Sequence, residues 1–96
     1  MTTYDYASIG FCTFDCLGRP VTAIPPGGNT YFVEEITMAV SGAAGAAAIV
    51  AAKYGLKVLA VGGIGEDLMG AWVIDRLDQF GVDTSRMELC KGVGTS

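Results

Sequence analysis

Histidine is absent from this 96-residue chain, which removes the commonest general base and metal ligand. Charge is sparse: Asp, Glu, Lys and Arg together make up 17% of the residues, and only six are Lys or Arg. None of those six is clustered, and ten Asp and Glu bring the formal net charge to −4. An acidic chain without a basic stripe excludes a phosphate-backbone binder, so no nucleic-acid partner is expected. The three cysteines, Cys12, Cys16 and Cys90, are an odd number without repeated spacing. They exclude a disulfide framework and fit free thiols in a reducing cytoplasm. Cys12 and Cys16 alone cannot close a four-ligand zinc site, so no metal centre is expected. The N-terminus, Thr2-Thr3-Tyr4-Asp5, has no basic segment ahead of an apolar run and so shows no secretory signal. The longest uncharged stretch, residues 36–52, is interrupted by Thr37, Ser41 and glycines. It falls short of the ~20 apolar residues that a membrane span needs. Two phosphate-binding signatures are missing as well. Gly63-Ile64-Gly65 would need a third glycine where Leu68 stands, and no Gly-Lys-Ser/Thr occurs.

What remains is a chain that is 51% hydrophobic, enough for one folded domain or part of one. A chain of this length buries ~60–65% of its unfolded surface. Its organising stretch is residues 41–70. Ser41-Gly42 opens a turn, and an Ala-rich segment, residues 43–54, reads as a helix halted by Gly55. Val58-Leu59-Ala60-Val61 is a continuous apolar run and reads as a strand buried on both faces. Residues 62–65 read as a glycine turn. A second helix is expected over residues 67–80, with Glu66 and Asp67 favourably placed against its dipole. Leu68, Met69, Trp72, Val73, Leu77 and Phe80 form its core stripe. Helix, buried strand, turn, helix is the order of an α/β domain built on a parallel sheet.

Upstream, the aromatic segment at residues 4–11 reads as a first strand. Residues 10–18 read as a loop carrying Asp15 beyond that strand's carboxyl end, where open α/β sheets bind ligands. A carboxylate there either meets a ligand or caps a turn. Residues 19–24 read as a short strand, Pro25-Pro26-Gly27-Gly28-Asn29 as a turn, and residues 31–40 as a longer alternating strand. Together they form a small flap over the main sheet, too small to be stable unaided. The Gly42–Gly45 turn either presents backbone N–H groups to a ligand oxygen or serves close packing of a small-residue helix. Residues 82–85 read as a connector, and residues 87–90 open another strand.

The ordered set of these features resembles the N-terminal portion of the PfkB, or ribokinase-like, carbohydrate and nucleoside kinase family. The residues that carry it are Gly10 with Asp15, the Gly27-Gly28 turn, Ser41-Gly42 entering an Ala-rich helix, and residues 58–70. The last of these, Val-Gly-Gly-Ile-Gly-Glu-Asp-Leu-Met-Gly, looks like the family's Gly-x-x-Gly-x-Asp-x-x-Gly stretch. Residues 77–84 resemble its helix end and Gly-Val-Asp connector. The resemblance implies an α/β, ribokinase-like fold: a parallel-rich sheet with flanking helices and a small β lid. Residues 1–96 would be the N-terminal portion, with 19–40 as the lid segment.

The resemblance further implies ATP-dependent phosphorylation of a sugar or nucleoside hydroxyl, with Mg²⁺ at the phosphates. Asp15 would accept substrate hydroxyls, and Ser41 and Gly42 would stand at the family's glycine pair. Ala46 falls where the family has a substrate-binding Asn, and its methyl offers no hydrogen bond. The family's C-terminal Gly-Ala-Gly-Asp motif, which holds the catalytic base beside the ATP site, does not occur here. The catalytic residue and the ATP and Mg²⁺ sites are therefore expected outside this chain, which alone would be inactive. A homodimer contact through the lid and a cytoplasmic location complete the expectation, with no membrane partner. The rival readings are a non-catalytic sugar-like binding module on the same scaffold, and a structural or dimerising domain.

Overall fold

The structure, a computed structural model, describes residues 3–96. Its elements run β1 (Tyr6–Ile9), β2 (Thr13–Arg19), β3 (Glu35–Ser41), α1 (Ala43–Lys53), β4 (Val58–Gly65), α2 (Leu68–Gln79) and β5 (Asp83–Cys90). Three strands form a parallel sheet in the order β1-β4-β5, and β2 and β3 pair as a separate antiparallel sheet. Both crossovers of the parallel sheet step in the same direction. Because such crossovers are right-handed, both helices lie on one face. Ser8 on β1 confirms which face: its buried hydroxyl donates to the Ala44 carbonyl of α1 at 2.7 Å.

That one-sided cover corrects the expectation of a strand buried on both faces. Val58 and Ala60 point at the helices and are buried. Leu59 and Val61, which alternate with them, are only half-buried. Ile9, in register with Val61 on the same bare face, is 75% exposed. The core therefore lies between sheet and helices, where Ala48, Val58, Ala60, Ile64, Val73, Leu77 and Val82 gather.

Helix α1 is built from residues of high helical propensity and little bulk, which lets the sheet come close. It ends where expected: Gly55 takes a φ of +87°, and its N–H donates to the Ala52 carbonyl. Helix α2 starts at an Asp67 cap, whose carboxylate accepts from the Gly70 N–H at 2.8 Å. Val73 and Leu77 are fully buried, as the stripe implies. Leu68 and Met69 are not part of the core: both are exposed.

The strand boundaries differ from the reading of the sequence. Residues 13–18, read as loop, form β2 together with Arg19. Residues 19–24, read as a strand, are irregular beyond Arg19, and β3 begins at Glu35. The reason lies in register: Thr13 to Arg19 pairs continuously with Ser41 to Glu35, so the hairpin closes through a long loop rather than the turn at residues 25–29. Residues 62–65 do not turn but extend β4, pairing with residues 87–90. β5 in turn starts at Asp83, within the segment read as a connector.

Candidate functional site

The two-stranded sheet has two unlike faces. Alternation puts Phe14 and Cys16 with Val40, Met38 and Ile36 on one side. Phe14 stands edge-on to Trp72 of α2, with ring centroids 5.3 Å apart, and this contact fixes the sheet to the body. The other side carries Thr13, Asp15 and Leu17 opposite Ser41, Ala39 and Thr37. The Thr13 hydroxyl donates to the Asp15 carboxylate at 3.2 Å. Asp15 is half-buried.

Of the four residues singled out from the sequence, the structure brings three together by position. Asp15 sits on β2 and Ser41 ends β3 on the same face, in register with Thr13. Gly42 follows directly as the cap position of α1, with φ +81° and ψ 155°. A side chain there would be strained, and its Cβ would stand 2.7 Å from the Phe11 carbonyl. No side chain caps α1. The Ala44 N–H donates to Phe11 O at 3.2 Å, and the Ala46 N–H to Gly42 O at 2.9 Å. Ala46 lies in the first turn of α1 with its methyl exposed. The placement of Asp15 in a loop is corrected, because its strand pairs with β3 throughout.

Next to this face, at the carboxyl ends of the parallel strands, is a cavity of about 210 Å³. Phe11 and Cys12 line it after β1, residues 63–65 at the end of β4, Cys90 at the end of β5, and residues 93–96 close it. None of the four singled-out residues is part of its wall. A larger open groove of about 630 Å³ runs along the far side of α2. It has an apolar floor at Leu68, Ile74 and Leu89 and carboxylates at its rim, but it touches none of these residues. The strand-end cavity is the better candidate, since it lies where a parallel sheet presents its backbone to ligands.

One wall of that cavity is held by hydrogen bonds the sequence did not disclose. Asp67 receives the Thr95 N–H at 2.9 Å and the Thr95 hydroxyl at 2.7 Å, beside its bond from Gly70. The Gly65 N–H donates to the same hydroxyl at 3.1 Å. The Thr95 N–H, the Thr95 hydroxyl and the Gly70 N–H together hold the Asp67 carboxyl below the usual carboxylate range. The glycines of this stretch serve close approach. A Cβ on Gly65 would lie 2.5 Å from the Thr95 nitrogen, and one on Gly70 2.0 Å from the Gly65 oxygen. Ser96 then reaches the flap, its main-chain oxygen accepting from the Phe14 N–H at 2.6 Å. Only the placement of Asp67 against the helix dipole was visible in sequence; its contact with Thr95 spans 28 residues, and no local pattern signals it. Thr13, the neighbour of Asp15, could have been found from the alternation of residues 13–17.

At the opposite end of the sheet the Tyr4 hydroxyl donates to Asp83. This bond, with those from Ser85, lowers the Asp83 carboxyl to about 2 and raises Tyr4. Burial pushes the Cys12 thiol up, as suits an inert packed cysteine. All three cysteines are free. Among the described residues no three His, Cys, Asp or Glu side chains converge as metal ligands. The strand-end cavity presents no Lys or Arg. Its wall therefore does not fit a triphosphate or its Mg²⁺, and no phosphoryl-transfer step follows from these residues. Among the described residues no helix is long and apolar enough to cross a membrane.

No protein-family model matches the sequence, and no curated protein does. Solved structures do match. A ribokinase candidate from Agrobacterium tumefaciens is 27% identical with a TM-score of 0.84, over 94% of this chain and 29% of that one. A ribokinase from Cryptococcus neoformans var. grubii serotype A, solved with ADP, is 26% identical with a TM-score of 0.74, over 97% and 29%. A PfkB protein from Polaromonas sp. JS666 is 25% identical with a TM-score of 0.76, over 97% and 29%. The chain thus spans under a third of the length of the structures it matches. Ordered parallel strands, one-sided helices and a small antiparallel flap, superposed on the leading segment of these sugar kinases, make this chain the N-terminal portion of a ribokinase-like, PfkB-type fold.

Proposed function

We propose that this chain supplies the acceptor side of an ATP-dependent sugar or nucleoside kinase. Asp15 accepts hydroxyl hydrogens of a polyol, and Ser41 and the Gly42 backbone border the same ligand. The observation that carries the reading is the β2–β3 register. It sets Asp15, Thr13 and Ser41 on one face beside the start of α1, while Phe14 on the other face packs against Trp72. A carboxylate takes two hydroxyl hydrogens at once, and bonds to a charged acceptor are the strong ones. Residues 19–40, at the outer part of the two-stranded sheet, act as the lid over that ligand. ATP, Mg²⁺ and the catalytic base belong to a part of the kinase that this chain does not provide.

Calorimetric titration with D-ribose, D-fructose and adenosine tests the assignment. At least one should bind, and Asp15→Asn should cost about 1.5–3 kcal/mol, roughly ten- to over a hundredfold in affinity. Unchanged affinity in Asp15→Asn would sink the assignment. A non-catalytic polyol-binding module is the second reading. Ala46 favours it, because an exposed methyl stands where a hydrogen-bonding side chain would orient a reacting hydroxyl.

A further inference from the structure

We infer that Asp67 is a positioning residue for the polyol face, acting through Thr95 and Ser96 on the strand that carries Asp15. This rests on the sugar-site reading for its functional consequence, and on hydrogen-bond geometry for its existence. An ordinary cap needs one carboxylate oxygen, and here Oδ1 serves that purpose by accepting from the Gly70 N–H. Asp67 does more. Oδ1 also accepts the Thr95 hydroxyl at 2.7 Å, and Oδ2 accepts the Thr95 N–H at 2.9 Å. The hydroxyl in turn accepts from the Gly65 N–H at 3.1 Å. Thr95 is thus gripped from three sides between the end of β4 and the start of α2.

The next residue carries that grip to the flap. Ser96 O accepts from the Phe14 N–H at 2.6 Å, on the edge of β2 that faces away from β3. Asp15 is the adjoining residue. The body otherwise holds this strand through side chains, chiefly Phe14 against Trp72. The path from Asp67 to Phe14 is a main-chain tie, and it fixes how far the polar face stands from the strand-end cavity. The demand for glycine at position 65 follows from the same tie, since a Cβ there would stand 2.5 Å from the Thr95 nitrogen, while one on Gly70 would meet the Gly65 carbonyl first, at 2.0 Å.

The chemistry separates the tie from the cap. Asp67→Asn keeps an oxygen for Gly70, and Asn is a good cap. Its amide nitrogen would confront the Thr95 N–H, donor against donor, and break the main-chain half of the tie, leaving the hydroxyl bond to Oδ1. Thr95→Val removes the hydroxyl, and Thr95→Ser restores it. Amide hydrogen exchange of the whole chain, read by NMR, is the test. Phe14 should exchange at least tenfold faster in Asp67→Asn and in Thr95→Val, and at the wild-type rate in Thr95→Ser. Val73 and Leu77 in α2 should keep their protection in Asp67→Asn. Polyol affinity should fall at least threefold in Asp67→Asn. Unchanged Phe14 exchange in Asp67→Asn overturns the inference. So does an equal acceleration at Val73 and Leu77 in that variant, which would make Asp67 a cap and nothing more. If Thr95→Val unfolds, Asp67→Asn and Thr95→Ser still decide. If Asp15→Asn leaves polyol affinity unchanged while Phe14 responds to Asp67→Asn, the sugar site falls and the tie stands. If Asp15→Asn abolishes binding while Phe14 ignores Asp67, the reverse holds.

Discussion

The parallel sheet with its helices and the two-stranded sheet beside it hold together by different means. In the first, Val58, Val73 and Leu77 are shut away from water, and three strands share main-chain bonds. In the second, Phe14 and Val40 touch the core, while Ile36 and Met38 on the same face are exposed. The body is stabilised by burial and the flap by attachment. The residues proposed to meet a ligand thus sit on the part held by fewer buried contacts, hung from the part that is held by more.

The largest effect that would sharpen this contrast comes from Leu77→Ala. Removing a fully buried leucine leaves a cavity and should cost about 2–5 kcal/mol in denaturant unfolding. Ile36→Ala on the flap should stay within about 0.5 kcal/mol. Equal costs would mean that flap and body form one cooperative core. A smaller effect is acid sensitivity at the amino end of the parallel sheet. The Asp83 carboxyl lies at about 2 when folded, chiefly through the Tyr4 hydroxyl. The ordinary value is about 3.9. A lowered folded pKa means a contribution present above about pH 4 and lost as pH falls through 2. Asp67 is shifted in the same direction, so both ends of the body weaken in acid. Carboxyl carbon shifts followed by NMR should give an Asp83 midpoint near 2, and a midpoint near 4 would remove the Tyr4 tie from the account. The smallest effect belongs to Arg19→Ala. Its ion pair with Glu35 joins side chains that are 76% and 48% exposed. Such pairs contribute about 0–1 kcal/mol, and a loss above about 2 kcal/mol would show that the flap depends on its outer end.

The same contrast explains what could be read from the sequence. The body was legible because its signals are local: an Ala-rich helix with a glycine stop, four apolar residues at 58–61, and Val73 and Leu77 at helical spacing. The flap was not, because Thr13-Phe14-Asp15-Cys16-Leu17 alternates between two glycines that look like loop markers. Its strandedness comes from a partner twenty or more residues away. Residues 62–65 misled for a related reason. Glycine there serves close approach and not a bend, of Gly10 to Gly62, of Cys90 to Gly63 and of residues 93–95 to Gly65, and only the folded chain shows it. Asp15, Ser41 and Gly42 were singled out from position and resemblance, and the register shows how Asp15 and Ser41 share a face. Thr95 and the second role of Asp67 had no local signal at all.

The bare side of the parallel sheet also has a colloidal consequence. Ile9, Leu59 and Val61 leave an apolar strip in contact with solvent, and at neutral pH a formal charge of −4 keeps neighbouring molecules apart. Near the isoelectric point of about 4.4 that repulsion vanishes while the strip remains. The chain should therefore precipitate most steeply around that pH, and redissolve on either side of it.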